Sequence, residues 1–384
     1  MQIRLFTGKG GTGKTTIAAA TAFNASKRNL KTLVISTDPA HSLSDALDKN
    51  LGPEPLEIRK KFYAQELNVY YSMKKYWGSL RKIVLEMLKW QGMDKIQAEE
   101  LSALPGMEEV SAFLWIEKYY REKEFDFIVI DSAPTGETLT MLSLPQMTKW
   151  WTSKLFSMPK FAAKTFGGVI NATFGVPFTQ SIDELDKILE KLDFINSILS
   201  DPKKTAARIV LNPEKMVIEE ARRAYTYLEL YGFNVDSIYI NKIIPESKEE
   251  TFFKDYVKSQ KTYIDIVKKD FYPLKIFEIF HLGTEVFGMD AVEKMGDLIY
   301  SETSPEDIYS SESPFEIKES GKGYIVEVTI PFAENKEISA IKKGNYLVID
   351  FEGRRRHLYL PRFLLFYEIT DKTYDSPKFK IKFE

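Results

Sequence analysis

The 384-residue chain has no cysteine and only three histidines. Without thiols it can form no disulfide, no cysteine-ligated zinc site and no thiolate site for a soft metal or metalloid. Three histidines leave little material for a dedicated transition-metal centre. A charge excess of one sign is also missing. With a formal net charge of −2 there is no broad basic footprint for nucleic acid. No uninterrupted apolar run reaches the ~18 residues of a membrane-spanning helix, so no transmembrane segment of its own is expected. The first apolar strand begins at residue 2 or 3, which predicts no leader peptide and a cytoplasmic location. One absence is local: from Thr138 to Ile182 there is no acidic residue, and only Lys149, Lys154, Lys160 and Lys164 carry charge.

What is present is organised around Gly8-Lys9-Gly10-Gly11-Thr12-Gly13-Lys14-Thr15, which fits G-x-x-x-x-G-K-[ST]. Ile3–Phe6 before it reads as a buried strand, and Thr16–Ala22 after it as a helix with small and apolar residues facing a sheet. Glycines allow the positive φ angles and close backbone approach that wrap amides around an anion. The following helix aims its unsatisfied N–H groups at the same place. In such a loop Lys14 reaches the β- and γ-phosphates, and the Thr15 hydroxyl can ligate Mg²⁺. Lys9 is not required by the generic pattern. A second lysine after the first glycine marks a deviant subclass of P-loop ATPases that dimerise, with that lysine crossing to the partner's nucleotide.

Further carboxylates fall at strand ends, where open α/β sheets bind ligands. Lys31–Ser36 reads as a strand followed by Asp38, a candidate to orient the attacking water. Phe125–Ile130 reads as a strand ending at Asp131, positioned to hold a water on Mg²⁺. Asn212-Pro213-Glu214 follows the strand Ala207–Leu211, and Asn241 ends the strand Ser237–Lys242. Asn241 is a candidate for hydrogen bonding to adenine, with Tyr272-Pro273-Leu274 packing on the base. The alternation of strands and helices predicts a mostly parallel, helix-covered sheet over residues 1–300. Two stretches interrupt it, approximately 70–120 and 145–200. Met73, Trp77, Leu80, Val84 and Met87 recur at helical spacing in the first, and methionine, phenylalanine and tryptophan crowd the carboxylate-free second. Both fit buried helices or an apolar groove for a hydrophobic helix. Residues 301–314, rich in serine, proline and acid, read as a linker. From 315 to 384 the period changes to two, most cleanly where Phe379, Ile381 and Phe383 alternate with lysines, which predicts a small β-sandwich.

Taken together these motifs resemble one family: the arsenite-pump ATPases and their relatives that target tail-anchored membrane proteins. Gly8 to Thr16 resembles its phosphate loop. Asp38 to Asp45 resembles the first switch, Asp131 to Gly136 the second, and Leu104 to Glu109 the proline-glycine-acid motif between the client-binding helices. The resemblance implies an α/β P-loop NTPase with a helical insert, an ATPase using ATP and Mg²⁺, and a homodimer. Asp38 would be the catalytic aspartate and Lys9 the lysine donated across the dimer. Thr15 and Asp131 would serve the metal, and Glu214 and Asn241 the nucleotide. The client would be an apolar membrane segment, delivered to a membrane receptor, with no nucleic acid involved. The C-terminal region, with Leu360-Pro361 after Arg354-Arg355-Arg356, is similar to the α-crystallin (small heat-shock protein) domain. Targeting members often tie their dimer with zinc on a Cys-x-x-Cys pair, which this chain lacks, so no zinc is expected. The alternatives are the ATPase subunit of an arsenite, antimonite or other anion pump, although no thiol is present to sense a metalloid, a position-setting ATPase on membrane or DNA, and a general chaperone.

Overall fold

The computed structural model describes residues 1–38, 42–68, 71, 72, 75, 107–132, 178–245 and 254–384. The chain divides into two compact units. One comprises residues 1–66, 125–139 and 198–384, the other residues 67–124 and 140–197.

In chain order the first 300 residues give β1 (Gln2–Thr7), α1 (Lys14–Lys27), β2 (Thr32–Ser36), α2 (Ser42–Leu47), β3 (Leu56–Arg59) and β4 (Phe62–Glu66). They continue with α3 (Met107–Glu122), β5 (Phe127–Asp131), α4 (Phe178–Leu199), β6 (Thr205–Leu211), α5 (Lys215–Tyr231) and β7 (Val235–Ile243). Last come α6 (Lys254–Asp270), β8 (Lys275–Phe280) and α7 (Met289–Ile299). The eight strands lie in the order β3-β4-β2-β5-β1-β6-β7-β8. Every neighbouring pair is parallel except the hairpin of β3 with β4. The central strands are short apolar runs buried throughout, as a sheet covered on both faces requires.

Alanines at 18, 19, 20, 22 and 25 bring α1 close to the sheet and to α7. A Cβ on Gly296 of α7 would stand 2.8 Å from the Ala20 carbonyl oxygen, so that approach depends on glycine. The register sets Asp131 of β5 level with Phe6 of β1 and Ser36 of β2. The carboxylate therefore lies at the carboxyl end of the sheet, where the chain leaves β1 for the glycine-rich loop.

Beyond α7 the chain forms two antiparallel sheets. In one, β14 (Ile369–Asp375), β15 (Lys378–Phe383), β10 (Gly323–Thr329) and β9 (Phe315–Ser320) are neighbours in that order. In the other, β11 (Ile338–Lys343), β12 (Tyr346–Phe351) and β13 (Arg354–Tyr359) are. Val326, Val328, Phe379, Ile381 and Phe383 of the first sheet are buried, as are Ala340, Leu347, Ile349 and Phe351 of the second. That alternation is the two-residue period read from sequence.

Residues 301–314 join the parallel sheet to this β region, and specific groups hold them in place. Arg4 of β1 donates from Nη2 to the Glu306 carbonyl oxygen. Arg208 of β6 donates to that of Asp307 at 2.8 Å, and Asn234 to that of Ser310 at 2.5 Å. Both arginines are fully buried. Arg208 pairs with buried Asp236, its Nε 3.3 Å from the carboxylate, and burial together with Arg208 pulls Arg4 down to about 10. Removing one member of a buried pair leaves an uncompensated charge. Arg208→Met is therefore expected to lower unfolding stability by about 3–5 kcal/mol, measured by urea denaturation.

The β region also packs on α5. Thr226 Oγ1 donates to the Pro331 carbonyl at 2.7 Å, and the Arg354 guanidinium lies 4.5 Å from the Tyr227 ring centroid. Phe332 sets its edge against Tyr225 and Phe271. Glu229 is buried there, accepts a 2.9 Å bond from the Val235 amide and faces Arg356 and Glu312. Burial pushes its carboxyl up to about 8. Between the ordinary glutamate pKa of 4.5 and about 8 the folded chain keeps a proton that the unfolded chain releases. Stability is therefore expected to fall as pH rises through that window and to level off above it. Glu229→Gln keeps the acceptor and removes the titration, so at pH 9 it should exceed the parent by on the order of 5 kcal/mol, against no gain at pH 4. Urea titrations at the two pH values read this directly.

In the second unit Trp115 of α3 is buried, donates from Nε1 to Ser72 Oγ at 2.9 Å and carries the Lys75 ammonium 4.1 Å from its ring centroid. The Met73–Met87 stripe, Leu104 to Gly106 and nearly all of the carboxylate-free stretch lie outside the described residues.

Candidate functional site

The loop after β1 adopts the geometry its glycines allow. Gly8 has φ +148°, and a Cβ there would meet the Val210 carbonyl oxygen of β6 at 2.1 Å. Gly13 has φ +91°, and its Cβ would meet Asn241 Nδ2 at 2.4 Å. At Gly8 a side chain would collide with backbone, and at Gly13 it would be strained by the left-handed φ and would displace Asn241. The inner turn closes on one acceptor, the Lys9 carbonyl. It receives the Thr12 hydroxyl at 2.8 Å and the Lys14 ammonium at 3.2 Å. Lys14 is buried, which lowers its pKa, while Asp131, Asp38 and Glu220 hold it up. The Lys9 side chain is half-buried, and Gly10 and Gly11 are exposed at the tip.

Opposite the loop, β5 ends on buried Asp131. Its Oδ2 accepts from Ser36 Oγ at 3.3 Å, and its carbonyl accepts from the Thr37 amide at 2.9 Å. Oδ1 finds no hydrogen bond of good geometry among protein groups. Burial pushes the carboxyl up to about 7, with Thr15, Lys14 and Ser36 pulling it down and Asp38 pushing it up. A buried carboxylate facing a threonine hydroxyl, with one oxygen lacking a well-formed hydrogen bond, suits a hard cation bound through oxygen. The residues therefore fit Mg²⁺ carried by a nucleotide. Thr15 Oγ1 also lies 3.2 Å from Ser42 Oγ of α2, and Thr16 is half-buried in the first turn of α1. Asp38, two residues beyond β2, is half-buried, and its amide donates to Ser36 Oγ at 3.2 Å. It lies close enough to Lys14 and Asp131 to act on both charges. Lys14, Thr15, Asp38 and Asp131 thus converge from three strand ends.

The strands on the other side of β1 supply two more of the sequence candidates. Glu214 is exposed at the start of α5, immediately after β6. Asn241 is buried beneath the loop, where Nδ2 donates to the Thr12 carbonyl at 2.8 Å. Its amide nitrogen is thus committed to loop backbone. Pro273 and Leu274 do not join the site. They precede β8, which runs parallel to β7, and so lie at the amino end of the sheet, a strand's length from the loop. The residues that leave β8 at the correct end are Phe280, 51 % exposed, and His281, whose amide donates to the Ile243 carbonyl at 2.7 Å. Nothing in the sequence points to these two residues, because β8 alternates exposed and buried positions and carries no continuous apolar run. Asn212, whose buried Oδ1 has no partner, is a further polar group at this end of the sheet. Residues 39–41 and 133–140, the rest of both switch motifs, lie outside the described residues.

Comparison with known proteins assigns both parts of the chain to described families. The family model described as anion-transporting ATPase matches residues 1–301, and that of an HSP20-like domain found in ArsA matches residues 321–383. A putative arsenical pump-driving ATPase 1 from Aquifex aeolicus is 35% identical over 374 residues, covering 94% of each chain. A putative arsenical pump-driving ATPase from Prosthecochloris vibrioformis is 34% identical over 389 residues, covering 100% of this chain and 96% of its own. The ATPase get3 of Aspergillus niger is 27% identical over 306 residues, covering 78% of this chain and 90% of its own.

Proposed function

The chain belongs to the anion-transporting ATPase family, and on that premise we propose that it is an ATP-hydrolysing homodimer that captures and releases apolar membrane-protein segments. The observation that carries the reading is the pairing of two features. A glycine-rich loop closed on the Lys9 carbonyl by Thr12 and Lys14 bears the extra lysine, Lys9, at its tip. The same chain carries the stretch from Thr138 to Ile182, rich in methionine and aromatics and free of carboxylates.

In this reading the loop amides and Lys14 bind the β- and γ-phosphate oxygens, and the dipole of α1 adds to their field. Mg²⁺ held by Thr15 and by Asp131 through water would neutralise phosphate charge. Asp38 orients the attacking water, Glu214 and Asn241 sit on the nucleoside side, and Lys9 of each protomer serves its partner's site. Loss of the γ-phosphate relaxes the segments beginning at Asp38 and Asp131 and reshapes the attached helices. Co-expression with a protein ending in a single transmembrane segment tests this. A soluble complex that ATP dissociates supports the reading, and a segment that precipitates regardless of the chain defeats it.

A second reading is an ATPase that drives an anion or metalloid pump, favoured by the names of the bacterial relatives. Stimulation of hydrolysis by arsenite or antimonite would favour it, against the absence of any thiol.

A further inference from the structure

The carboxyl end of β7 departs from regular strand geometry where it meets the phosphate loop. β7 pairs with β8 in register up to Ile240 and Glu278, then slips before Ile243 and Phe280. Within the slip Lys242 has φ +60°, the left-handed region that a non-glycine residue seldom occupies. Adjacent residues of a regular strand point to opposite faces. A bulge with one left-handed residue re-aims them, and here both reach the same loop. Asn241 donates to the Thr12 carbonyl and Lys242 Nζ to the Gly11 carbonyl, each at 2.8 Å. Two consecutive peptide groups of the loop are thereby held from one bulge.

We infer that Lys242 is a positioning residue for the phosphate loop, a strut that fixes the Gly11–Thr12 peptide so that its amide faces the bound phosphates. The reasoning is geometric. A trans peptide is planar, with its carbonyl and N–H on opposite sides. Holding the Gly11 carbonyl against Lys242 turns the Thr12 amide the other way, into the loop's concavity, where it points to the Lys9 carbonyl at a loose 3.4 Å. Asn241 does the same for the next peptide and so for the Gly13 amide. Gly11, at φ +80° with open space around it, has the backbone freedom of glycine and is exposed together with Gly10. Asn241 is buried and cannot move far, whereas Lys242 works from the surface. Its ammonium also adds positive charge behind the phosphate site. The inference rests on the nucleotide reading above, but the strut itself can be measured on free protein.

The test is made on the full chain with Lys242→Met, Lys242→Gly and Lys242→Arg. The first keeps the stem and removes the charge, the second removes strut and backbone strain together, and the third keeps a cationic donor. Two readouts are taken: ADP affinity in EDTA by calorimetry, and hydrogen exchange of the loop amides in nucleotide-free protein. The Met and Gly variants are expected to bind ADP about tenfold more weakly, the loss of one charge-assisted hydrogen bond. Exchange at Thr12 and Gly13 should quicken in both, and the Arg variant should restore both readouts. A Met variant with affinity within twofold of the parent and unchanged loop exchange overturns the inference. So does equal weakening in the Arg variant, which would assign the effect to the bulge rather than the cation. A parent chain that binds no ADP defeats the nucleotide reading instead, and the exchange readout still decides whether Lys242 holds the loop.

Discussion

Asp38→Asn is expected to hydrolyse ATP about 10³-fold more slowly than the parent, the size of a lost water-orienting carboxylate, while binding nucleotide at least as well. The asymmetry follows from where Asp38 stands. It is not part of the loop that wraps the phosphates, whose contacts run through Lys9, Thr12 and Lys14. It lies among charges that matter to those phosphates, acting on both Lys14 and Asp131. Replacing it by the isosteric amide removes a negative charge from the neighbourhood of a triphosphate, which favours binding. The same replacement exchanges the carboxylate proposed to orient the nucleophile for a neutral amide with a single, weaker acceptor oxygen. The Asp38 amide bond to Ser36 Oγ uses backbone, so the segment's anchorage should survive. Single-turnover hydrolysis beside equilibrium binding of ATP separates the two effects. A variant within tenfold of parental turnover would take the role away from Asp38, and one that fails to bind would make it a structural member of the loop.

Much of this site was legible because its chemistry is written in contiguous motifs next to strongly apolar strands. The strands ending at Ser36 and Asp131 are runs of β-branched and aromatic residues, and their polar successors had to emerge at the sheet's edge. The error at Pro273 and Leu274 has the converse cause. β8 alternates exposed and buried residues at the edge of the sheet, so it lacks the continuous apolar signal of a central strand. With no strand signal to order it, Tyr272-Pro273-Leu274 reads as free to pack on the base, whereas it enters β8 at the amino end. Residues 301–314 show a different limit. Their composition is that of a linker, but Arg4, Arg208 and Asn234 grip their backbone carbonyls. Carbonyls are the same in every sequence, so composition cannot reveal the grip. The buried arginines were the available signal, since two guanidiniums inside apolar strands must have acceptors somewhere. The bulge at Asn241 and Lys242 was hidden for a related reason. A strand-end Asn-Lys is unremarkable until the register slip shows both side chains turned to one loop.

Lys9→Ala should lower turnover by about 10³-fold, the lower end of what a cation supplied across an interface contributes to phosphoryl transfer, with little change in the affinity of a single protomer. The loop uses the Lys9 carbonyl, not its side chain, to receive Thr12 and Lys14, so alanine preserves the cradle. The side chain sits half-buried beside Gly10 and Gly11 at the exposed tip, the part of the loop a second protomer would meet. A slow Lys9→Ala variant would not by itself distinguish action on the protomer's own nucleotide from action on the partner's. Mixing does. Lys9→Ala keeps Asp38, and Asp38→Asn keeps Lys9. In a mixed dimer with exchange across the interface, the Lys9→Ala protomer would use its own Asp38 with its partner's Lys9. The other site would have neither. Random exchange of two-fold dimers should therefore restore about a quarter of parental activity from two nearly inactive proteins. Recovery in that range, lost on dilution below the dimer's dissociation constant, is the expected result. If the mixture is no more active than its components while exchange of labelled subunits is complete, Lys9 acts within its own protomer and the homodimer is not part of the chemistry.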